Sequence, residues 1–178
     1  MIRPLILASA SPQRRAILEE AGIPFTVMPA GVEEETQGDP AEVAVLNARR
    51  KATAIPGDLV LGADTVVALA GVIYGKPRDE AQAREYLGRL NGRTHEVVGG
   101  IALAGRIEVE AVEVTRVTFK ASDEATLDAY VATGEWEGRA GGYAIQGRGG
   151  ELVERIDGDY LNVVGLPLER LKTLLARD

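Results

Sequence analysis

Several residues of this 178-residue chain stand where chemistry would need them. Arg14 heads a helical stripe whose other members, Ile17, Leu18 and Ala21, are apolar, at the spacing that puts side chains on one face. A guanidinium at the head of a core-facing stripe needs an anionic partner, because an isolated buried charge is costly. The same helix end gathers unpaired backbone N–H groups, which also favour anions. Ser11 and Pro12 mark that end: a capping hydroxyl, then a residue whose missing N–H would be unbonded there anyway. The stretch reads either as a phosphate site or as a helix start whose arginine snorkels or pairs with a carboxylate. Arg15, one turn before Glu19, reads as a surface ion pair.

Asp64 lies inside the apolar run 59–70. A carboxylate there is poorly hydrated unless a metal, a cation or hydrogen-bond donors surround it; the alternative is an aspartate tying down a turn after Gly62. Lys51 shares a helical stripe with Ala44, Ala48 and Ile55 and reads as a snorkelling lysine or a cleft cation. In Gly75-Lys76-Pro77 the proline biases Lys76 to an extended backbone and turns its ammonium outward. Residues 134–150 hold seven glycines, the only tryptophan and Gln146, which suits either close approach to a ligand or an irregular loop. His95, the only histidine, has no triad partner nearby and reads as a packed or hydrogen-bonded residue. With the acidic run Glu33-Glu34-Glu35, these residues make the mixture that phosphate chemistry uses. Cations neutralise oxygens, carboxylates hold Mg²⁺, and one carboxylate orients or deprotonates water. No Walker loop, dinucleotide fingerprint or zinc-binding histidine pair occurs.

These groups need a scaffold, and the composition supplies one. A chain with 46% hydrophobic and 26% charged residues belongs with globular proteins rather than disordered ones, and the length suits one domain over 1–178, with room for two lobes. The net charge of −7 counts against a nucleic-acid polymer as partner, although a few cations focused in a cleft can still bind a small anion. No apolar stretch approaches the ~20 residues of a membrane span. The N-terminus does not resemble a signal peptide, and with no cysteine a cytoplasmic location is expected.

Strands are expected at 5–8, 25–28, 59–70 and 72–74, then as two long strands at 94–103 and 107–119, and again at 152–156. A last strand is expected after the turn at Asp157-Gly158. Helices are expected over 14–21; from the cap at Asp39 to about Ile55; from Asp79 to about Leu90; from Ser122; and from Pro167. Strand–helix alternation followed by hairpins predicts a mixed α/β sheet.

Six stretches in order, SASPQRR (9–15), GADT (62–65), GKP (75–77), RTH (93–95), AGGYAIQG (140–147) and GDYLNVVGLPL (158–168), make the whole chain resemble the Maf family. The resemblance implies a cytoplasmic, homodimeric nucleoside triphosphate pyrophosphatase that cuts between the α- and β-phosphates. It further implies a divalent cation, Mg²⁺ or Mn²⁺. The implied fold is an elongated mixed central sheet flanked by helices, with two lobes around a deep cleft, similar to inosine triphosphate pyrophosphatase. The family's proton acceptor falls on Asp64, its metal carboxylates on Glu34 and Asp64, and its substrate contacts on Ser9, Arg14, Lys51 and Lys76. Its specificity positions fall on Gln13, Thr65 and Gln146. The motif GYxIQG, here Gly142 to Gly147, belongs to the branch acting on dTTP and UTP. A branch acting on 7-methyl-GTP differs in that loop. Gln13 replaces the usual arginine of SxSPRR, and Arg15 points about 100° round the helix from Arg14. A nucleotide-binding regulator of cell division with little turnover is the alternative of another class, with Gln13 marking a decayed site.

Overall fold

The computed structural model describes residues 4–178. It opens with a parallel unit: β1 (Leu5–Leu7), α1 (Pro12–Glu20) and β2 (Phe25–Val27), in which Leu5 pairs with Phe25 and Leu7 with Val27. Ser11 caps α1 by accepting the Arg14 N–H at 3.3 Å, with Pro12 in the first turn. Asp39 caps α2 (Pro40–Ala54) through the N–H groups of Ala41 and Glu42. β3 (Leu59–Leu69) turns into β4 (Val72–Tyr74), and Asp79 caps α3 (Glu80–Leu90). The long hairpin β5 (Thr94–Gly105) and β6 (Val109–Phe119) precedes α4 (Glu124–Ala132), β7 (Val153–Asp157), α5 (Tyr160–Val164) and α6 (Leu168–Leu175). The sheet runs β2-β1-β3-β5-β6-β7, with β4 beside β3. Pairs β1–β2 and β1–β3 are parallel and the rest antiparallel, so the expected mixed α/β sheet is present.

Two local expectations are corrected. The strand expected after Gly158 is the helix α5, because the Asp159 carboxylate accepts the N–H groups of Leu161 at 2.8 Å and Asn162 at 3.4 Å. That cap outweighs the β preference of Val163-Val164. The cap of α4 is Asp123, which takes the Thr126 N–H at 2.9 Å, whereas Ser122 is tied backbone-to-side-chain to Asn91. The glycine-rich segment is also ordered by two 3₁₀ turns, Ala140–Gly142 and Arg148–Leu152.

Alternation along the strands divides the core. Leu61, Ala63, Ile101 and Leu103 pack with Ile17 and Leu18 of α1 and Leu171 and Leu174 of α6. Val66, Val98 and Ala102 face Val43, Ala44, Ala48 and Ala52 of α2. On β6 the inward set is Thr115, Val117 and Phe119, leaving Val114 41% exposed on the other side. Leu87, Leu127, Tyr130 and Trp136 join Val117 and Phe119 in a third cluster at the far end.

His95 belongs to that end. Its Nε2 is 2.7 Å from the Tyr143 hydroxyl, it meets Phe119 edge-on at 4.9 Å, and Nδ1 has no partner among the described residues. Burial pushes the imidazole down to about 4 from 6.5, since the charged form cannot be hydrated there. The unfolded chain therefore takes up this proton first as pH falls. Stability should drop from about pH 6.5 and level off below about pH 4, by roughly 3 kcal/mol in all. Denaturant unfolding of wild type and His95→Gln across pH 4–7 measures this: the difference between the two curves should carry that slope, and parallel curves would exclude it.

Candidate active site

β3 has a strand neighbour along one edge throughout, β5, but its other edge is shared. β1 pairs with it only as far as Leu61 and β4 only from Val67. A cleft of about 900 Å³ opens on the gap between them, which Asp64 and Thr65 line together although they point to opposite faces of the sheet. The loop between the C-terminal end of β1 and the N-terminus of α1 forms an adjoining wall, the position where open α/β sheets bind ligands.

On one face, α2 lies unusually close to the sheet. A Cβ on Gly62 would stand 1.9 Å from the Ala48 carbonyl oxygen, and one on Gly100 2.3 Å from that of Ala44. Gly100 is the strand partner of Asp64, so one of these two close helix–sheet approaches lies directly beside the aspartate. This brings Lys51 and Asn47, one turn apart on α2, over the Asp64 carboxylate. Lys51 Nζ is 3.3 Å from Oδ1, and Asn47 Nδ2 donates to Oδ2 at 2.9 Å. The same ammonium lies 2.8 Å from Glu34 Oε1 and donates to the Ala63 carbonyl at 3.2 Å. Asn47 also bonds the backbone of Glu35 in both directions, at 2.7 and 2.9 Å, and so fixes the acidic loop. Burial opposes the charge on Glu34, but its bond and ion pair with Lys51, with the charges of Lys76 and Arg14, outweigh that and hold its carboxyl below the ordinary value.

On the other face Arg14 is buried. Its Nε donates to the Gly165 carbonyl at 2.8 Å, Nη1 to Ser9 Oγ at 3.1 Å and Nη2 to Thr65 Oγ1 at 3.1 Å. A guanidinium has five N–H donors, so two remain available. Burial lowers its pKa, and the charges of Asp64 and Glu34 counteract that; the group stays cationic at neutral pH. Among the described residues no carboxylate lies within ion-pair distance of it. Its neighbours are neutral acceptors, which leaves its charge to be matched by something in the cleft. Asn162 supports this arrangement from below, donating to Val97 O, Glu113 O and Thr115 Oγ1 at 3.1–3.2 Å and so pinning α5, which ends at Gly165.

Ser9, Gln13, Arg14, Glu34, Lys51, Asp64, Thr65, Lys76 and Gln146 all line this one cleft. Lys76 is exposed and, among the described residues, its ammonium has no hydrogen-bond or ion-pair partner; Gln146 is exposed too. Gln13 faces the cleft with its Oε1 accepting from Ser11 Oγ at 3.2 Å. Arg15 does not take the missing arginine's place, being exposed and paired with Glu19 at 2.8 Å. Asn47, Asn162 and the Gly165 carbonyl escaped the sequence reading. For Asn47 a signal existed: it is the one amide on the Ala44–Ala48–Lys51 stripe, which predicts a buried polar partner. Among the described residues no three His, Asp or Glu side chains meet to make a metal cage. Two hard carboxylates that share one cation, Glu34 and Asp64, are nonetheless the donor set with which magnesium binds alongside substrate phosphates.

A mixed sheet with a cleft at a broken strand edge, the buried cations Arg14 and Lys51, the exposed Lys76 and a fixed carboxylate defines an α/β protein built to handle a polyanion. The chain belongs to the Maf family: the family model for Maf-like proteins matches residues 4–178. The dTTP/UTP pyrophosphatase of Pelotomaculum thermopropionicum is 45% identical over 185 residues, covering 99% of this chain and 97% of its own. That of Myxococcus xanthus is 49% identical over 179 residues, covering 97% and 91%. Among solved structures, a nucleoside-triphosphatase / dITP/XTP pyrophosphatase from Mycobacterium abscessus aligns over 98% of this chain and 94% of that one, with a TM-score of 0.49 and 16% identity.

Binding of inorganic triphosphate isolates the cationic part of the cleft. By calorimetry, Arg14→Ala should weaken it about 10–100-fold, the worth of charge-assisted hydrogen bonds, whereas Arg15→Ala should change it less than about twofold. Equal effects of the two substitutions would remove Arg14 from the site.

Proposed function

We propose that this protein hydrolyses dTTP and UTP to the nucleoside monophosphate and pyrophosphate. The observation that carries the reading is Asp64, a carboxylate only 8% exposed, held through both oxygens at the floor of a cleft whose other charged groups suit a triphosphate. The near-full-length similarity to dTTP/UTP pyrophosphatases supports the substrate assignment.

Each Asp64 oxygen spends one lone pair on Lys51 or Asn47 and keeps another, so the carboxylate is oriented without being saturated. In this reading it accepts a proton from the water that attacks the α-phosphorus as pyrophosphate leaves in line. The two remaining N–H groups of Arg14, the Ser9 hydroxyl and the exposed ammonium of Lys76 neutralise charge that builds on the phosphate oxygens. Glu34 and Asp64 would hold a divalent cation, Mg²⁺ or Mn²⁺, which supplies further charge neutralisation to the triphosphate. Lys51, shared by both carboxylates, keeps them together when no cation does.

Base choice falls to Gln13, Thr65 and above all Gln146. Uracil and thymine present a carbonyl beside a ring N–H, and a glutamine amide offers a matching donor and acceptor. Cytosine reverses that pattern, so an amide held in the orientation that suits uracil and thymine leaves a group unpaired, at about 1–3 kcal/mol. The family resemblance adds a homodimer and a cytoplasmic location to the proposal; among the described residues no helix is long and apolar enough to cross a membrane.

A turnover panel measuring pyrophosphate release tests the reading. Wild type should cleave dTTP and UTP in preference to CTP and the purine triphosphates, and faster cleavage of 7-methyl-GTP than of either would reject it. Asp64→Asn keeps the shape and removes the charge, and should lower kcat by at least ~10² while the fold and some nucleotide binding persist. Gln146→Glu, which removes the donor and adds a charge, should narrow the base preference.

A further inference from the structure

We propose that Glu135 is a positioning residue for base selection, holding the backbone after Gln146, and through Tyr130 the backbone before it, so that its amide reaches the nucleobase from a fixed position. This rests on the reading of Gln146 as the residue that pairs with the base. Gln146 is exposed, and its side chain has no hydrogen-bond partner among the described residues. The backbone that carries it therefore sets only where the side chain starts from, and with it which positions the amide can reach. Two side chains hold that backbone. Two residues before Gln146, the Ala144 N–H donates to the Tyr130 hydroxyl at 2.9 Å. Two residues after it, the Arg148 N–H donates to Glu135 Oε2 at 3.1 Å, and the next N–H, Gly149, to Oε1 at 3.3 Å.

The two holders are themselves joined, because the Tyr130 hydroxyl donates to Glu135 Oε1 at 3.4 Å. Tyr130 stands on α4, and Trp136, the residue after Glu135, is anchored to the same helix by its indole N–H on the Val131 carbonyl at 3.1 Å. The clamp is thus referred to a packed helix and not to the loop alone. Burial, with the Glu135 charge behind it, pushes the Tyr130 phenol up to about 12, so it stays protonated and serves as acceptor and donor together.

Three donors converge on the Glu135 carboxylate, and only an acceptor-only group satisfies them all. A glutamine there would turn its NH₂ toward one of them. Glu135 also lines the cleft, so a direct effect on the phosphates is the competing role, and base dependence separates the two. A group acting on the triphosphate would alter all nucleotides alike, whereas a clamp on Gln146 alters discrimination.

The experiment measures kcat and KM for dTTP, UTP, CTP and GTP in wild type, Glu135→Ala, Gln146→Ala and the double variant, with amide hydrogen exchange on the first three. Glu135→Ala should narrow the dTTP-to-CTP ratio of kcat/KM about tenfold, mainly through a raised KM for dTTP. The double variant should discriminate no less than Gln146→Ala alone. Exchange at Arg148 and Gly149 should quicken in Glu135→Ala and not in Gln146→Ala. Glu135→Gln should show the same changes on a smaller scale, so the result does not depend on how well the alanine variant folds. A loss equal for all four nucleotides overturns the positioning role. So does an unchanged ratio in Glu135→Ala beside a narrowed one in Gln146→Ala. An unchanged ratio in Gln146→Ala overturns the reading of Gln146, and this proposal with it.

Discussion

The close contact of α2 with β3 and β5 is the constraint on which the site depends. Helices ordinarily stand off a sheet by the thickness of side chains, but here the carbonyls of Ala48 and Ala44 occupy the space where Gly62 and Gly100 have no Cβ. The opposing atoms are backbone and cannot rotate away, so any larger residue at either glycine would lift the helix. Lys51 and Asn47 would rise with it, and their bonds of 3.3 and 2.9 Å to Asp64 leave little slack. Small residues on the helix stripe, Ala44, Ala48 and Ala52, are the other half of the same fit. Here packing density and site geometry are one property.

Electrostatics explain why such a tight arrangement holds charges at all. Lys51 and Asp64 are both buried, and removing two charges from water costs several kcal/mol each unless partners compensate. Compensation is nearly complete for this pair: Lys51 has Glu34, Asp64 and the Ala63 carbonyl, and Asp64 has Lys51 and Asn47. Arg14 differs, because its protein partners are all neutral oxygens. The cleft therefore keeps an unmatched positive charge at Arg14, with Lys76 added at its rim, although Glu135 and Glu137 line its far wall and the net charge of the chain is −7. Local focusing of this kind, not global charge, decides which small ions a cleft attracts.

The opposite wall shows a different solution to a similar problem. A loop carrying seven glycines would be costly to order through its own backbone. Side chains order it instead: from packed elements His95 of β5 on Tyr143 and Tyr130 of α4 on Ala144, and from the segment itself Glu135 on Arg148 and Gly149. Thus the two motifs RTH and AGGYAIQG, far apart in the chain, meet at a single bond between an imidazole and a phenol.

What could be read from the sequence was what local chemistry determines. Caps at Ser11, Asp39 and Asp79, the hairpin at Gly71 and the long strands β3, β5 and β6 follow from short-range hydrogen bonding and alternation, and they stand within a few residues of expectation. Arg14, Lys51 and Asp64 are conspicuous because each is a charge in a place that local burial disfavours, and Lys76 because Pro77 turns it outward from a loop. Tertiary structure decided whatever depends on a distant partner. The segment after Gly158 became a helix because Asp159 caps it and Asn162 reaches across to β5 and β6. The Gly165 carbonyl binds Arg14 from 151 residues away, and no side-chain pattern can announce a backbone acceptor. For Asn47 the helical stripe signals a buried polar partner, but that the partner is Asp64 is decided only by the fold. The break in the edge of β3 between Leu61 and Val67, where the cleft opens, is set by how far two short strands, β1 and β4, extend along it. Pairing register is a relation between segments, so only the folded chain contains it.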